Sequence, residues 1–153
     1  MKLRMVDRIL SWERDRQILG VKAVSFEEYC AKAPLGDAER LPESLMLQSL
    51  LQLGNWLLIL SSGFTRMGLI TELDEVRFAA PVLPGQRLAL DVFMQRSDGE
   101  TASFAGIGRM GQSAAVCVQK WRVQCCALDL YYDPRDLRVL YEEICRPATG
   151  APT

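Results

Sequence analysis

LPESLMLQSLLQLGNWLLILSSGF, residues 41–64, is the only long apolar stretch of the chain, because the next charged residue after Glu43 is Arg66. Pro42 suits the first position of a helix, and Glu43 favours the positive end of the helix dipole. Gly63 can end the helix in a left-handed conformation. We therefore predict a helix of about 19 residues, roughly 28 Å long.

Apolar side chains occupy most of the circumference of this predicted helix, which is typical of a helix enclosed by other structure. At about 100° per residue, its polar side chains fall on one narrow stripe. The stripe consists of Ser44, Gln48, Gln52 and Asn55. It faces either water or a site, and its amides either bind the enclosing sheet or line a ligand tunnel.

A membrane span is the main alternative for this stretch, since about 20 apolar residues cross a bilayer. We do not expect one, because Gln48, Gln52 and Asn55 would all need polar partners in lipid. At the amino terminus, Asp7 and Arg8 interrupt the apolar region that a signal peptide requires. The sequence therefore predicts a cytoplasmic protein without a membrane span.

Composition narrows the chemistry that the chain can perform. Its 153 residues suit one domain, and its 18 basic and 19 acidic residues are interspersed, so no nucleic-acid-binding surface is expected. The chain has no histidine, so any general base must be an Asp, Glu, Lys, Cys or Tyr with a shifted pKa. The five cysteines form no C-x-x-C pair, and we expect buried free thiols and neither metal nor cofactor. They are Cys30, Cys117, Cys125, Cys126 and Cys145.

Hydrophobic periodicity indicates strands on both sides of the helix. Residues 3–12 and 17–25 are predicted to form either a hairpin or two strands joined by a short loop. Five further strands are predicted at residues 67–73, 75–78, 87–96, 101–110 and 113–126. This order predicts an α+β fold in which an antiparallel sheet curls around the helix. The edge strands of such a sheet would be exposed, so their pairing between two copies predicts a dimer.

The carboxyl-terminal part predicts a second helix. Asp133 and Pro134 suit an N-cap and a first helical position, and an apolar residue recurs at helical spacing from Leu137 to Ile144. We expect an amphipathic helix of about 11 residues. It docks on the outside of the sheet or binds a partner. The predicted organisation is a main domain over residues 1–130, a helical extension over 131–146 and a flexible tail over 147–153.

Three local motifs and the order of elements resemble one known family. Residues 6–10 (VDRIL) and 20–24 (GVKAV) resemble its first two strands, and Pro42 with Gln52 and Gly54 is similar to its helix entry. Residues 76–85 (VRFAAPVLPG) resemble its R-F-x-x-P-V-x-P-G-D signature. The family is the hotdog-fold β-hydroxyacyl-acyl-carrier-protein dehydratases of fatty-acid synthesis. The resemblance covers about residues 5–127 and implies a sheet wrapped around one long central helix.

The sequence departs from this family at both positions that the resemblance identifies as catalytic. The family's histidine abstracts a proton next to the thioester, and Pro34 stands near that position here. The family's helix acid helps the 3-hydroxyl group to leave as water, and Gln48 stands in its place. Each loss is expected to slow positioned acid-base catalysis by about 10²–10⁴-fold. Efficient dehydration by the family mechanism is therefore not expected.

The resemblance then implies an acyl-thioester-binding protein of fatty-acid or polyketide metabolism. The thioester would be linked to an acyl carrier protein or to coenzyme A. In the family, histidine and acid come from different subunits, so this chain forms a homodimer or supports an active paralogue in a heterodimer. The predicted acyl-thioester-binding residues are Leu35, Gly36, Gln48, Gln52 and Asn55.

Two alternative functions would keep a catalytic activity. One is an acyl thioesterase in which Asp37 or Glu43 acts as the base, if burial raises the pKa of that carboxyl group. The other is a 3-hydroxyacyl dehydratase with rearranged catalytic groups.

Overall fold

The computed structural model of the protein describes residues 5–24 and 40–145. The strands are β1 (Arg8–Glu13), β2 (Gln17–Ala23), β3 (Arg66–Phe78), β4 (Arg87–Ser97), β5 (Thr101–Met110) and β6 (Ser113–Ala127). The helices are α1 (Glu43–Ser61) and α2 (Pro134–Cys145), with a short 3-10 turn (Leu128–Leu130) before α2. The predicted central helix is confirmed, because α1 has 19 residues.

The strands form one six-stranded antiparallel sheet in the order β1-β2-β4-β5-β6-β3. The helix α1 packs against β2, β3, β4, β5 and β6, so the sheet curls around it as predicted. The two approach closely at Gly54, where an added Cβ atom would lie 2.8 Å from Cζ2 of Trp121. A larger residue at this position would therefore push the helix away from the sheet.

Among the described helices, only α1 is long and apolar enough to cross a membrane. In this structure 61% of its most apolar window is buried by the rest of the chain. Leu50, Leu53, Trp56, Leu57 and Ile59 are fully enclosed. The helix is the centre of the hydrophobic core.

The prediction of two short strands at residues 67–73 and 75–78 was wrong, because β3 is continuous. Its 13 residues pair with β6 along their whole length, with a shift of register between Ile70 and Glu72. Glu75 adopts a left-handed conformation with φ of 49°. Asp74, which lies between the two predicted strands, is thus part of one continuous but irregular strand.

The helix α2 forms as predicted, with the Oδ1 atom of Asp133 accepting a hydrogen bond of 2.9 Å from the backbone N–H of Arg135. It packs against the edge strand β1, where the indole N–H of Trp12 donates to the Tyr141 hydroxyl at 3.1 Å, and it also reaches the central helix. The ring of Tyr141 contacts Trp56 of α1, with a centroid distance of 6.2 Å. An amphipathic pattern shows that one face of a helix is buried, but it does not identify the surface that covers that face.

Several predictions concern residues that the structure does not describe. The predicted site residues Pro34, Leu35, Gly36 and Asp37 and the predicted tail at residues 147–153 fall outside the described ranges. The proposed division at residues 130 and 146 stays a prediction.

Candidate functional site

A groove with a volume of 310 Å³ lies between α1 and the first residues of β3. The polar stripe of α1 lines one wall. The apolar side chains of β3 line the other, because β3 follows α1 after a short turn and runs back along it. The lining residues are Ser44, Leu47, Gln48, Leu51, Gln52 and Asn55 of α1 and Met67, Gly68, Leu69 and Ile70 of β3. The structure thus brings three of the predicted binding residues together.

Asn55 uses its side chain to attach α1 to β3. Its Nδ2 atom donates to the carbonyl oxygen of Gly68 at 3.1 Å, and its Oδ1 atom accepts from the N–H of Gly68 at 2.8 Å. Both polar atoms of the amide are therefore satisfied by one backbone residue. Asn55 fixes the wall of the groove, and its amide is not available to a ligand without breaking these bonds.

Part of the Gln52 side chain is also engaged in a hydrogen bond within the protein. Its side chain is buried, and its Oε1 atom accepts a hydrogen bond of 3.0 Å from the backbone N–H of Met5. The carboxamide oxygen thus holds the segment that precedes β1 against the helix. The sequence left open whether the stripe binds the enclosing structure or lines a tunnel. Gln52 and Asn55 bind the enclosing structure, and both also line the groove.

Gln48 differs from the other two amides. It is half-buried, it lines the groove, and its side chain makes no hydrogen bond to any residue in the described ranges. A carboxamide can donate and accept hydrogen bonds but cannot exchange a proton as a carboxylic acid does. Gln48 can therefore orient a polar group of a ligand, and it cannot act as a general acid.

The amino-terminal end of α1 is open to this groove through Ser44. No side chain among the described residues caps the helix start, and the backbone N–H groups of Leu45 and Met46 donate to the carbonyl oxygen of Pro42. The first N–H groups of a helix and its dipole favour partial negative charge nearby. A carbonyl oxygen placed near Ser44 would be polarised by this end of the helix.

Glu43 does not lie in this groove. It is exposed in the first turn of α1 and lines a smaller cleft of 110 Å³ together with Arg40 and Phe78. The remaining predicted site residues, Pro34, Leu35, Gly36 and Asp37, lie outside the described residues.

The cysteines and carboxylates of the described ranges do not form a reactive-thiol site or a metal site. Burial raises the pKa of the thiols of Cys125 and Cys126, which keeps both protonated at neutral pH. The four described cysteines are free thiols. No group of three Cys, Asp or Glu side chains in the described part of the chain could hold a metal ion.

Sequence reasoning missed the apolar wall formed by Met67, Leu69 and Ile70. The available signal was the short connection between α1 and β3, since only four residues separate Ser61 from Arg66. A strand that begins so soon after a helix must start beside its carboxyl end. Because a strand advances about 3.3 Å per residue and a helix only about 1.5 Å, residues 67–70 run back past Asn55 towards the first turns of the helix.

Comparison with known proteins shows the family of the chain. Residues 1–118 match the model of the FabA-like domain. A 3-hydroxyacyl-[acyl-carrier-protein] dehydratase FabZ from Paracidovorax citrulli is 31% identical over 115 residues, which cover 72% of this chain and 79% of that protein. The dehydratase heterocomplex ApeI:P from Xenorhabdus doucetiae has a TM-score of 0.64 at 13% identity, covering 90% of this chain and 89% of that chain. A mutant thioesterase from Pseudomonas aeruginosa has a TM-score of 0.61 at 13% identity, covering 79% and 81%.

The solved structures, together with the sheet and helix described above, define the hotdog fold class, as predicted. Within that class, the chain belongs to the FabA-like domain family. The helix α2 lies beyond the residues that match the family model.

Proposed function

We propose that this protein binds an acyl thioester in the groove beside Gln48 and does not dehydrate 3-hydroxyacyl thioesters efficiently. The single observation that carries the proposal is the half-buried amide of Gln48, which makes no hydrogen bond to a described residue and lies in a groove with one apolar wall. The apolar wall formed by β3 suits an acyl chain, and the amide suits the thioester carbonyl or a 3-hydroxyl group. Family membership supports fatty-acid or polyketide metabolism as the setting, in the cytoplasm.

The absence of dehydration follows from the side chains that the chain has. There is no histidine in the whole sequence, so no imidazole can abstract the proton next to the thioester. The family's helix acid is replaced by Gln48, which holds no transferable proton at neutral pH. Binding and polarisation of a thioester remain possible with these groups, whereas proton transfer by the family's histidine and helix acid does not.

A second subunit is part of this proposal. The strand β3 is an edge of the sheet, and its side chains Leu69, Ile70 and Leu73 are exposed in the single chain. Pairing of this edge with another hotdog chain would bury them and remove the exposed backbone groups. We propose a homodimer, or a heterodimer with an active paralogue that supplies the missing proton-handling groups. The partner in solution would be identified by co-purification and native mass spectrometry.

The binding proposal is tested by calorimetric titration of the pure protein with butyryl-pantetheine. Gln48→Ala should weaken binding by about 2–10-fold, which corresponds to one lost neutral hydrogen bond of about 0.5–1.5 kcal/mol. Gln112→Ala, at an exposed turn, is the matched control and should not change the affinity. Failure of the wild-type protein to bind any acyl thioester, carried by pantetheine or by acyl carrier protein, would remove the proposal.

A second candidate function is thioester hydrolysis with Glu43 or Asp37 as the base. It is favoured by the position of Glu43 in the first turn of α1, where a carboxylate and the helix start are close together. Hydrolysis of acyl thioesters that disappears in Glu43→Gln or Asp37→Asn would establish it. A dehydratase with rearranged groups would instead hydrate crotonyl thioesters faster than the uncatalysed reaction.

A further inference from the structure

A charged hollow of 380 Å³ lies on the face of the sheet that points away from α1. The rings of Phe104 and Trp121 stack on the inner face, where Trp121 reaches Gly54 of α1. Successive side chains of a strand point to opposite faces of the sheet. Ser103 and Arg122, each next to one of these aromatic residues, therefore point outward.

The hollow is built on a row of directly paired residues. Arg96 of β4 pairs with Ser103 of β5, and Ser103 pairs with Arg122 of β6. Cβ atoms of such pairs lie about 4.5–5.5 Å apart on the same face of the sheet. Lys120 precedes Arg122 by two residues and shares its face. A short serine between two arginines leaves a space, which is lined by cationic side chains together with two carboxylates and two threonines.

Ser103 forms the floor of this hollow and has an unused hydroxyl group. Its exposed fraction is only 7%, and its side chain makes no hydrogen bond to any residue in the part of the chain that the structure describes. The hydroxyl oxygen faces the open hollow, where water or a polar ligand can reach it.

The hollow is lined by three cationic side chains and by the carboxylates of Glu72 and Asp98, and Asp74 of β3 is the direct neighbour of Lys120. Arg96 and Lys120 form no ion pair with a described residue, whereas Arg122 lies 3.5 Å from the carboxylate of Glu72. The carboxylate of Asp98 also borders the hollow. It is already engaged, because its Oδ1 atom accepts hydrogen bonds from the backbone N–H groups of residues 100 and 101 at 3.0 and 2.8 Å.

We propose that this outer hollow binds a phosphate group. Arginine presents paired N–H donors that match phosphate oxygens, lysine adds a point charge, and the Ser103 hydroxyl can donate to a further oxygen. The ligand is inorganic phosphate or the phosphate of a small phosphorylated molecule such as coenzyme A. This site is on the opposite face of the sheet from the Gln48 groove, so it does not depend on the function proposed for that groove.

The test is titration of the pure protein with inorganic phosphate, followed by amide chemical shifts and calorimetry at low ionic strength. Shifts should be largest at Arg96, Ser103 and Arg122. Arg96→Gln should weaken binding about tenfold or more, because charge-assisted hydrogen bonds are the strong ones. Arg87→Gln removes the same charge from an exposed site on the same strand and is the matched control. Ser103→Val, which fills the hollow, should abolish binding without unfolding the protein.

Comparison of coenzyme A with 3′-dephospho-coenzyme A distinguishes the two sources of phosphate. Tighter binding of coenzyme A, lost in Arg96→Gln, would assign the hollow to the phosphate of a carrier. Equal binding of free phosphate and coenzyme A would assign it to free phosphate. The proposal is overturned if no saturable binding occurs with a Kd below about 10 mM. It is also overturned if Arg87→Gln and Arg96→Gln weaken binding equally, or if the shifts map to the α1 groove.

Discussion

The two ends of the central helix α1 have different surroundings. In its amino-terminal half, α1 borders a groove, and the amide of Gln48 has no partner among the described residues. At its carboxyl-terminal end, α2 covers the helix. The Tyr141 ring lies 6.2 Å from that of Trp56 and 6.0 Å from that of Phe64, measured between centroids.

Polar contacts complete the covered end. The indole N–H of Trp12 donates to the hydroxyl of Tyr141 at 3.1 Å. The guanidinium of Arg138 lies 4.4 Å from the ring centroid of Phe64 and donates to the carbonyl oxygen of Gly63 at 3.3 Å. A cation near the last carbonyl groups of a helix is favourable because of the helix dipole.

This difference teaches that one apolar helix serves two purposes. Its covered end contributes to stability, and its open half offers an apolar wall and an unused amide to a ligand. Substitutions at the two ends should therefore have different consequences. Those at the covered end should lower the free energy of unfolding strongly, and those in the open half should weaken ligand binding.

The largest expected effect is that of Trp56→Ala, which should lower the free energy of unfolding by about 3–5 kcal/mol, because it empties a fully enclosed site. Urea unfolding followed by circular dichroism measures this change at one protein concentration. Trp56→Phe is the control and should cost much less, since the Nε1 atom of Trp56 is buried without a hydrogen-bond partner among the described residues. Equal losses in the two variants would contradict this account.

Asn55→Ala should have the next largest effect, a loss of about 1–3 kcal/mol, because two hydrogen bonds to Gly68 disappear. The same unfolding experiment measures it. Gln48→Ala, on the same stripe, should change stability by no more than about 0.5 kcal/mol. If Gln48→Ala were as destabilising as Asn55→Ala, Gln48 would have a structural role and the contrast along the stripe would be lost.

Arg138→Ala should destabilise the protein by about 1 kcal/mol, because it removes the cation–π contact with Phe64 and the hydrogen bond to Gly63. Arg135→Ala, exposed in the first turn of the same helix, removes the same charge and serves as the control. Thermal unfolding of the two variants in parallel gives the comparison. A lower Tm for Arg135→Ala than for Arg138→Ala would show that α2 does not cover α1 as described.

The smallest expected effect appears at alkaline pH. Burial raises the pKa of the Tyr141 hydroxyl, and its hydrogen bond with Cys145 raises it further. Above the ordinary tyrosine pKa of about 10, the unfolded chain loses this proton before the folded protein does. The stability that is present below that pH is therefore lost as the pH rises through the folded-state pKa.

Tyr141→Phe should consequently show a shallower fall of unfolding free energy above about pH 10 than the wild type. Buried thiols contribute a fall that begins lower, and Cys145 is hydrogen-bonded to Tyr141, so the two proteins are compared with Cys145→Ala in both. Tyr131→Phe, at an exposed tyrosine, should retain the wild-type slope. Identical slopes for wild type and Tyr141→Phe would refute the assignment.

Much of the fold could be predicted from sequence because its signals are local. The absence of charge between Glu43 and Arg66, with Pro42 and Gly63 at the ends, marks α1 without any tertiary information. The turn at Asp98 and Gly99 marks the β4–β5 hairpin in the same way, and Gly99 indeed has a φ of 90°.

What could not be predicted depends on contacts between distant residues. The polar stripe was visible, but the partner of Asn55 is a backbone residue of β3, and helical spacing does not reveal it. Likewise, the apolar face of α2 indicated burial, whereas the covering surface, which includes Trp56, depends on the tertiary arrangement. The continuity of β3 depends on a left-handed Glu75, a conformation that glutamate adopts infrequently.

The most direct test of the central claim is proton NMR of the pure protein with a 3-hydroxybutyryl thioester of pantetheine. Saturation transfer from the protein reports binding of the acyl methyl group, and vinylic proton signals report dehydration in the same sample. We expect saturation transfer that decreases in Gln48→Ala, and vinylic signals that grow no faster than without protein. Vinylic signals that grow at an enzymatic rate, or the absence of saturation transfer in the wild type, would contradict the account.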